Sequence, residues 1–99
     1  MSNKTIKVIA RVTSLPDKVE ELKSLLLNLV EPTRREQGCI CYHLLQDKTD
    51  PAEFVFIEEW ANDSAIDAHM TTSHVQEAFS KAQSLFAKAP DISKYVAIE

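Results

Sequence analysis

Glycine is almost missing from this chain: Gly38 is the only one in 99 residues. No glycine-rich loop of the kind that cradles a nucleotide phosphate can be built from it. Cysteine is equally scarce. Cys39 and Cys41 stand two apart in a segment that reads as extended, a poor geometry for a mutual disulfide and too few thiols for a structural zinc site. They read as small buried apolar side chains, and although His43 continues their parity, three side chains along one strand diverge rather than converge on an ion. Positive charge is also in deficit: 11 lysines and arginines face 15 acids, for a net charge of −4, and the bases form no run, which argues against a nucleic-acid partner. No apolar stretch approaches the roughly 18–20 residues needed to cross a bilayer, and no charged leader precedes an apolar one at the N-terminus. A soluble, cytoplasmic protein with no membrane partner is expected. The 44% apolar content suffices for one domain over residues 1–99.

What is present has a clear order. Thr5 to Thr13 alternates, with Ile6, Val8, Ala10 and Val12 on one face and Lys7, Ile9 and Arg11 on the other, as a strand does. Asp17 and Glu20 form a capping pair for a helix from Asp17 to Glu36, whose apolar positions Val19, Leu22, Leu26 and Leu29 recur at helical spacing; Pro32 should kink or split its end, and Gly38 stops it. Strands follow over Cys39–Gln46 and Glu53–Ala61, joined by a turn-rich Asp47–Pro51 hairpin loop. Asn62 or Asp63 caps a short helix through Met70, and Ser73 with Gln76 opens another, carrying Val75, Ala78, Phe79, Ala82, Leu85 and Phe86 inward. After Pro90, Ser93–Ile98 reads as a fourth strand.

The order β-α-β-β-α-β is the ferredoxin-like pattern of the α+β class, a four-stranded antiparallel sheet with its helices on one face. The second and third strands are apolar on both parities: Phe54, Val55, Phe56 and Ile57 run consecutively, and Ile40, Tyr42 and Leu44 alternate with Cys39, Cys41 and Leu45. Helices can cover only one of those faces. A second copy packed sheet against sheet is the simplest cover for the other, so a homodimer is expected.

Chemistry-bearing residues cluster between Phe54 and His74. His69 follows Ile66 by three, on the inward arc of its helix, where it either moves a proton or sits as a satisfied structural histidine. Glu58 shares parity with Phe54, Phe56 and Trp60; a carboxyl in such company has its pKa raised and makes a general base, unless it pairs with Arg11 or a backbone donor. His74 lies in the first turn of the last helix, whose positive end suits an anionic substrate group, or is merely exposed beside a cap. Tyr42 and Trp60 are suited to walling a pocket for a flat ring, or are plain core. Arg11 binds an anion or pairs with a neighbouring acid.

Gly38 with Tyr42 four residues on, Leu45-Gln46-Asp47 at the hairpin, Glu58-Glu59-Trp60 at a strand end, and Ala68-His69 followed by Ser73-His74 resemble the antibiotic biosynthesis monooxygenase domain family of dimeric α/β-barrel proteins. The resemblance covers essentially the whole chain and implies that fold. Its functional implications are several, because the family holds quinol-type monooxygenases, haem degraders, an isomerase of phosphorylated autoinducer and members without a known substrate. Ala10 stands where haem degraders carry an asparagine, so haem is not implied; the segments His69–His74 and Leu45-Gln46-Asp47 are most like the isomerases. The leading expectation is an enzyme that oxidises a small phenol or quinol with dioxygen and no cofactor, flavin, haem or metal. His69 and Glu58 are its catalytic residues, and Tyr42, Trp60, His74 and Arg11 bind substrate. The alternatives are isomerisation of a small dicarbonyl compound and non-catalytic small-molecule binding.

Overall fold

The computed structural model describes residues 4–99; Met1 to Asn3, part of the end at which no leader pattern is read, lie outside them. Strands β1 (Ile6–Thr13), β2 (Cys39–Gln46), β3 (Glu53–Trp60) and β4 (Asp91–Tyr95) form one antiparallel sheet in the order β2-β3-β1-β4. Helices α1 (Val19–Leu27), α2 (Val30–Arg34), α3 (Asp63–Met70) and α4 (Ser73–Ala82), with a 3-10 turn at Gln83–Leu85, pack on one face of it. This is the ferredoxin-like α+β arrangement. Among the described residues no helix is long and apolar enough to cross a membrane.

The two central strands set the core. Their register pairs Val8 with Glu58, Ala10 with Phe56 and Val12 with Phe54, so one parity of both lies beneath the helices. Phe54, Trp60 and Leu22 are essentially removed from solvent, and burial of a side chain of that size stabilises by about 1.5–3 kcal/mol.

Local departures from the sequence reading have physical causes. Pro32 does split off the end of the helix expected over Asp17 to Glu36, because it offers no N–H to the carbonyl of Asn28 and its ring crowds that carbonyl; Asn28 is where α1 ends. Asp17 caps nothing: a turn closed by Lys18 N–H donating to the Leu15 carbonyl, 3.0 Å, consumes Pro16 and Asp17, and α1 starts without a side-chain cap. Asn62 does cap α3, its Oδ1 accepting from Ala65 N–H at 2.9 Å. For α4 the cap is Thr72 rather than Ser73, and Gln76 donates to the Met70 carbonyl instead of closing a capping box. β4 begins earlier and ends sooner than expected, since it extends only where β1 offers partners, from Arg11–Asp91 to Lys7–Tyr95. A register shift between Cys39 and Cys41 also breaks the parity of β2: Cys39 pairs with Trp60, and Ile40 is 52% exposed instead of sharing the inner face with Tyr42.

Gly38 has φ +90, the left-handed stop that its place in the sequence suggests. It has a second role. A Cβ there would lie 2.6 Å from the Ala65 Cβ, so its lack of a side chain lets the chain bend run directly against α3, while its carbonyl accepts from Ala61 N–H at 2.8 Å. Gly38→Ala should therefore lose on both counts. The expected cost is about 2–3 kcal/mol, read as a fall in thermal midpoint of roughly 10 °C or more; an unchanged melting curve would show that neither constraint is stiff.

Candidate active site

Three side chains meet behind the helices. Glu36 follows α2, His69 lies in the last turn of α3 and His74 in the first turn of α4. His69 Nδ1 is 2.8 Å from Glu36 Oε2, and His74 Nε2 is 2.6 Å from the same oxygen. A carboxylate oxygen only accepts, so both imidazole nitrogens carry hydrogens and donate to it. Nδ1 of His69 thereby carries a hydrogen, so in the neutral ring the lone pair belongs to Nε2, which has no hydrogen-bond partner among the described residues. The positive first turn of α4, expected to attract an anion, has one already in Glu36.

His69 is 5% exposed and is wedged between aromatic rings, with centroids 4.7 Å from Trp60 and 5.7 Å from Tyr42. On its other side is a cavity of about 50 Å3 lined mainly by apolar side chains, including Val8, Phe56, Ile66, Val75 and Phe79. Tyr42, Glu58, His69 and Lys94 are its polar lining. Met70, Phe79, Phe86 and Ile92 line both this cavity and a second, open groove that also carries Lys88.

Glu58 is 6% exposed and accepts a 2.8 Å hydrogen bond from Trp60 Nε1. Burial pushes its carboxyl up to about 7, against the pull of that hydrogen bond and with a further push from the Glu36 charge. Burial, and then the Glu58 charge, drives the Tyr42 phenol well above its ordinary value; the neighbouring Thr33 hydroxyl, itself buried without a well-formed hydrogen bond, acts in the opposite direction. Tyr42 is therefore a donor at any working pH. The Cys39 thiol is pushed up to about 11, by burial first and then by Glu36, so it is no nucleophile near neutrality.

The residues anticipated from sequence are thus placed in three groups. Tyr42, Glu58 and His69 share the cavity. Trp60 and His74 do not line it; the first packs on His69 and holds Glu58, the second holds Glu36. Arg11 stands apart, exposed on the opposite face between Val55 and Asp91 in register, so it neither enters this cavity nor pairs with Glu58. Sequence reasoning missed Glu36. A signal was there: Leu22, Leu26, Leu29, Thr33 and Glu36 continue one stripe at spacings of four and three, and the first four are buried.

A family model described as antibiotic biosynthesis monooxygenase matches residues 5–81. The chain belongs to this family. Its relatives include the uncharacterized protein sll1783 of Synechocystis sp. (strain ATCC 27184 / PCC 6803 / Kazusa), 38% identical over 90 residues that make up 91% of this chain; the chain spans only 61% of that protein's length. A Bacillus subtilis (strain 168) protein bearing the name "Putative monooxygenase YcnE" is 31% identical over 77 residues, 78% of this chain and 81% of its own. Among solved structures, the crystal structure of an antibiotic biosynthesis monooxygenase superposes with a TM-score of 0.91 at 33% identity, covering 95% of this chain and 99% of that one.

In this family member the raised Glu58 has a consequence for folding. Because its folded pKa, about 7, lies above the unfolded value of 4.5, the fold favours the protonated carboxyl. That contribution is complete below about pH 4.5 and is lost as pH rises through about 7. Urea melts of wild type and Glu58→Gln should therefore diverge in the variant's favour by about 3 kcal/mol between pH 4.5 and 8; a pH-independent difference would show that Glu58 titrates normally.

Proposed function

We propose that the chain is a monooxygenase that needs no bound cofactor and oxidises a small phenolic or quinol-type aromatic with dioxygen. One juxtaposition carries the reading: a buried carboxyl poised near neutrality, Glu58, and an imidazole nitrogen free to accept a proton, on His69, line the same apolar cavity. Family membership and the names of relatives support the reaction class.

His69 Nε2 or Glu58 takes the substrate hydroxyl proton, and Tyr42 donates a hydrogen bond to the resulting oxyanion. The electron-rich ring reduces dioxygen and a carbon–oxygen bond forms; the first proton goes to the outer peroxide oxygen. The base then removes the ring hydrogen at that carbon, the O–O bond breaks, and the leaving hydroxide takes that proton as water. The product is a quinone, and all four electrons accepted by dioxygen come from the ring, so no external reductant is required. The apolar lining keeps water from the peroxide. A cavity of about 50 Å3 holds little more than a water or two, so a ring enters from the groove by displacing Met70 and Phe86.

Lys94 at the lining supports a second reading, proton-shuttle isomerisation of a phosphorylated dicarbonyl compound, in which the lysine leaves its 3.4 Å ion pair with Asp63 to meet the anion in place of Arg11. Oxygen uptake with a panel of quinols separates the two. His69→Ala should lower turnover by roughly 10²–10⁴-fold per folded molecule; equal activity per folded molecule in variant and wild type would remove His69 from the site, and no uptake with any quinol would remove the oxygenase reading.

The same proposal places the active form as a cytoplasmic homodimer packed sheet against sheet. Leu45 and Ile57 are 50% and 37% exposed on the face opposite the helices, beside half-buried Ile9 and Val55. An interface of this obligate kind exceeds about 2,000 Å² in total. Sedimentation should give a dimer at micromolar concentration, and Ile57→Lys should yield monomer or aggregate; a stable wild-type monomer would refute it.

A further inference from the structure

His74 has no part in the chemistry proposed above, and orienting His69 requires only Glu36. Yet a second imidazole points at the same carboxylate oxygen. Glu36 Oε2, His69 Nδ1 and His74 Nε2 come from three separate elements and lie within 4.8 Å of one another, the one such convergence of three ligating groups among the described residues. Two imidazole nitrogens and a carboxylate oxygen suit zinc and similar first-row transition ions; calcium and magnesium favour all-oxygen surroundings.

We infer that Glu36, His69 and His74 form a binding site for a divalent transition-metal ion behind the cavity histidine. An ion about 2.0–2.1 Å from each ligand separates neighbouring ligand atoms by roughly 3.3 Å. The present contacts of 2.8 and 2.6 Å need to open by well under an ångström. His74 is the ligand free to give: its side chain is 25% exposed, against 6% for His69 and 11% for Glu36. Solvent on its side supplies the access route and the remaining coordination positions.

The ion takes the place of the two imidazole hydrogens that now point at Glu36. Once Nδ1 of His69 ligates metal, the neutral ring carries its hydrogen on Nε2, and the cavity-facing nitrogen changes from acceptor to donor. Metal occupancy and a general-base role for His69 are then mutually exclusive. That last consequence rests on the oxygenase reading; the site itself does not.

The test is calorimetric titration of metal-free protein with Zn(II), alongside 15N imidazole spectra that distinguish the two tautomers. Saturation at one Zn(II) per chain is expected, with His69 passing from the Nδ1–H to the Nε2–H form. Glu36→Gln and His74→Ala should each weaken binding by at least about tenfold, while Cys41→Ser leaves it unchanged. Should Glu36→Gln fail to fold, His74→Ala decides, since its side chain is partly exposed. Absence of saturable binding, equal affinity in His74→Ala, or an unchanged His69 tautomer at saturation would each overturn the inference. Because none of these readouts uses turnover, zinc binding without oxygen uptake would leave the site standing and remove only the oxygenase reading.

Discussion

A single carboxylate oxygen, Oε2 of Glu36, ties the end of the first helical segment to both helices of the second. The orientation of His69 follows from that contact. It chooses the tautomer of His69, satisfies the inner nitrogen of a buried imidazole and leaves the outer one facing the cavity. Two backbone features make it possible. Pro32 breaks the helix at Asn28, and Gly38 turns the chain closely against Ala65 of α3, two residues after Glu36.

Glu58 represents the opposite choice. Glu36 is at the edge of the site with two donors, whereas Glu58 is buried among apolar neighbours with one, from Trp60. One donor does not replace the water that a charged carboxylate loses. A charged Glu58 therefore costs the fold stability near neutral pH. Such a residue is hard to account for by packing alone, since an apolar side chain of similar size would be more favourable at that position.

The strands and the inner faces of the helices were legible in the sequence because each depends on a local period, two or about 3.6 residues, that the side chains write directly. Phe54, Phe56, Glu58 and Trp60 were placed together correctly on that basis alone. Two local caps, Asp17 and the Ser73–Gln76 pair, were misplaced by a residue or more, and the other failures were features decided by neighbours distant in sequence. The bulge at Cys39–Cys41 is set by pairing with β3, and the extent of β4 by the partners β1 offers. Glu36 was overlooked for a related reason: its stripe could be counted, but its partners lie 33 and 38 residues away and only the packed helices bring them to it. The family resemblance, drawn from Gly38 with Tyr42, Leu45–Asp47, Glu58–Trp60, Ala68-His69 and Ser73-His74, held at the level of fold and family.

Trp60 is the only tryptophan in the chain, is fully buried, and touches both candidate proton-transfer groups, through its ring on His69 and its N–H on Glu58. Indole emission is quenched by a protonated imidazole in contact and shifts with the charge of a hydrogen-bonded carboxylate. The protein thus carries an intrinsic optical reporter at its candidate site. Protonation, ligand entry or loosening of the helices over the sheet will each alter the light from one chromophore, without a label and in the unmodified chain.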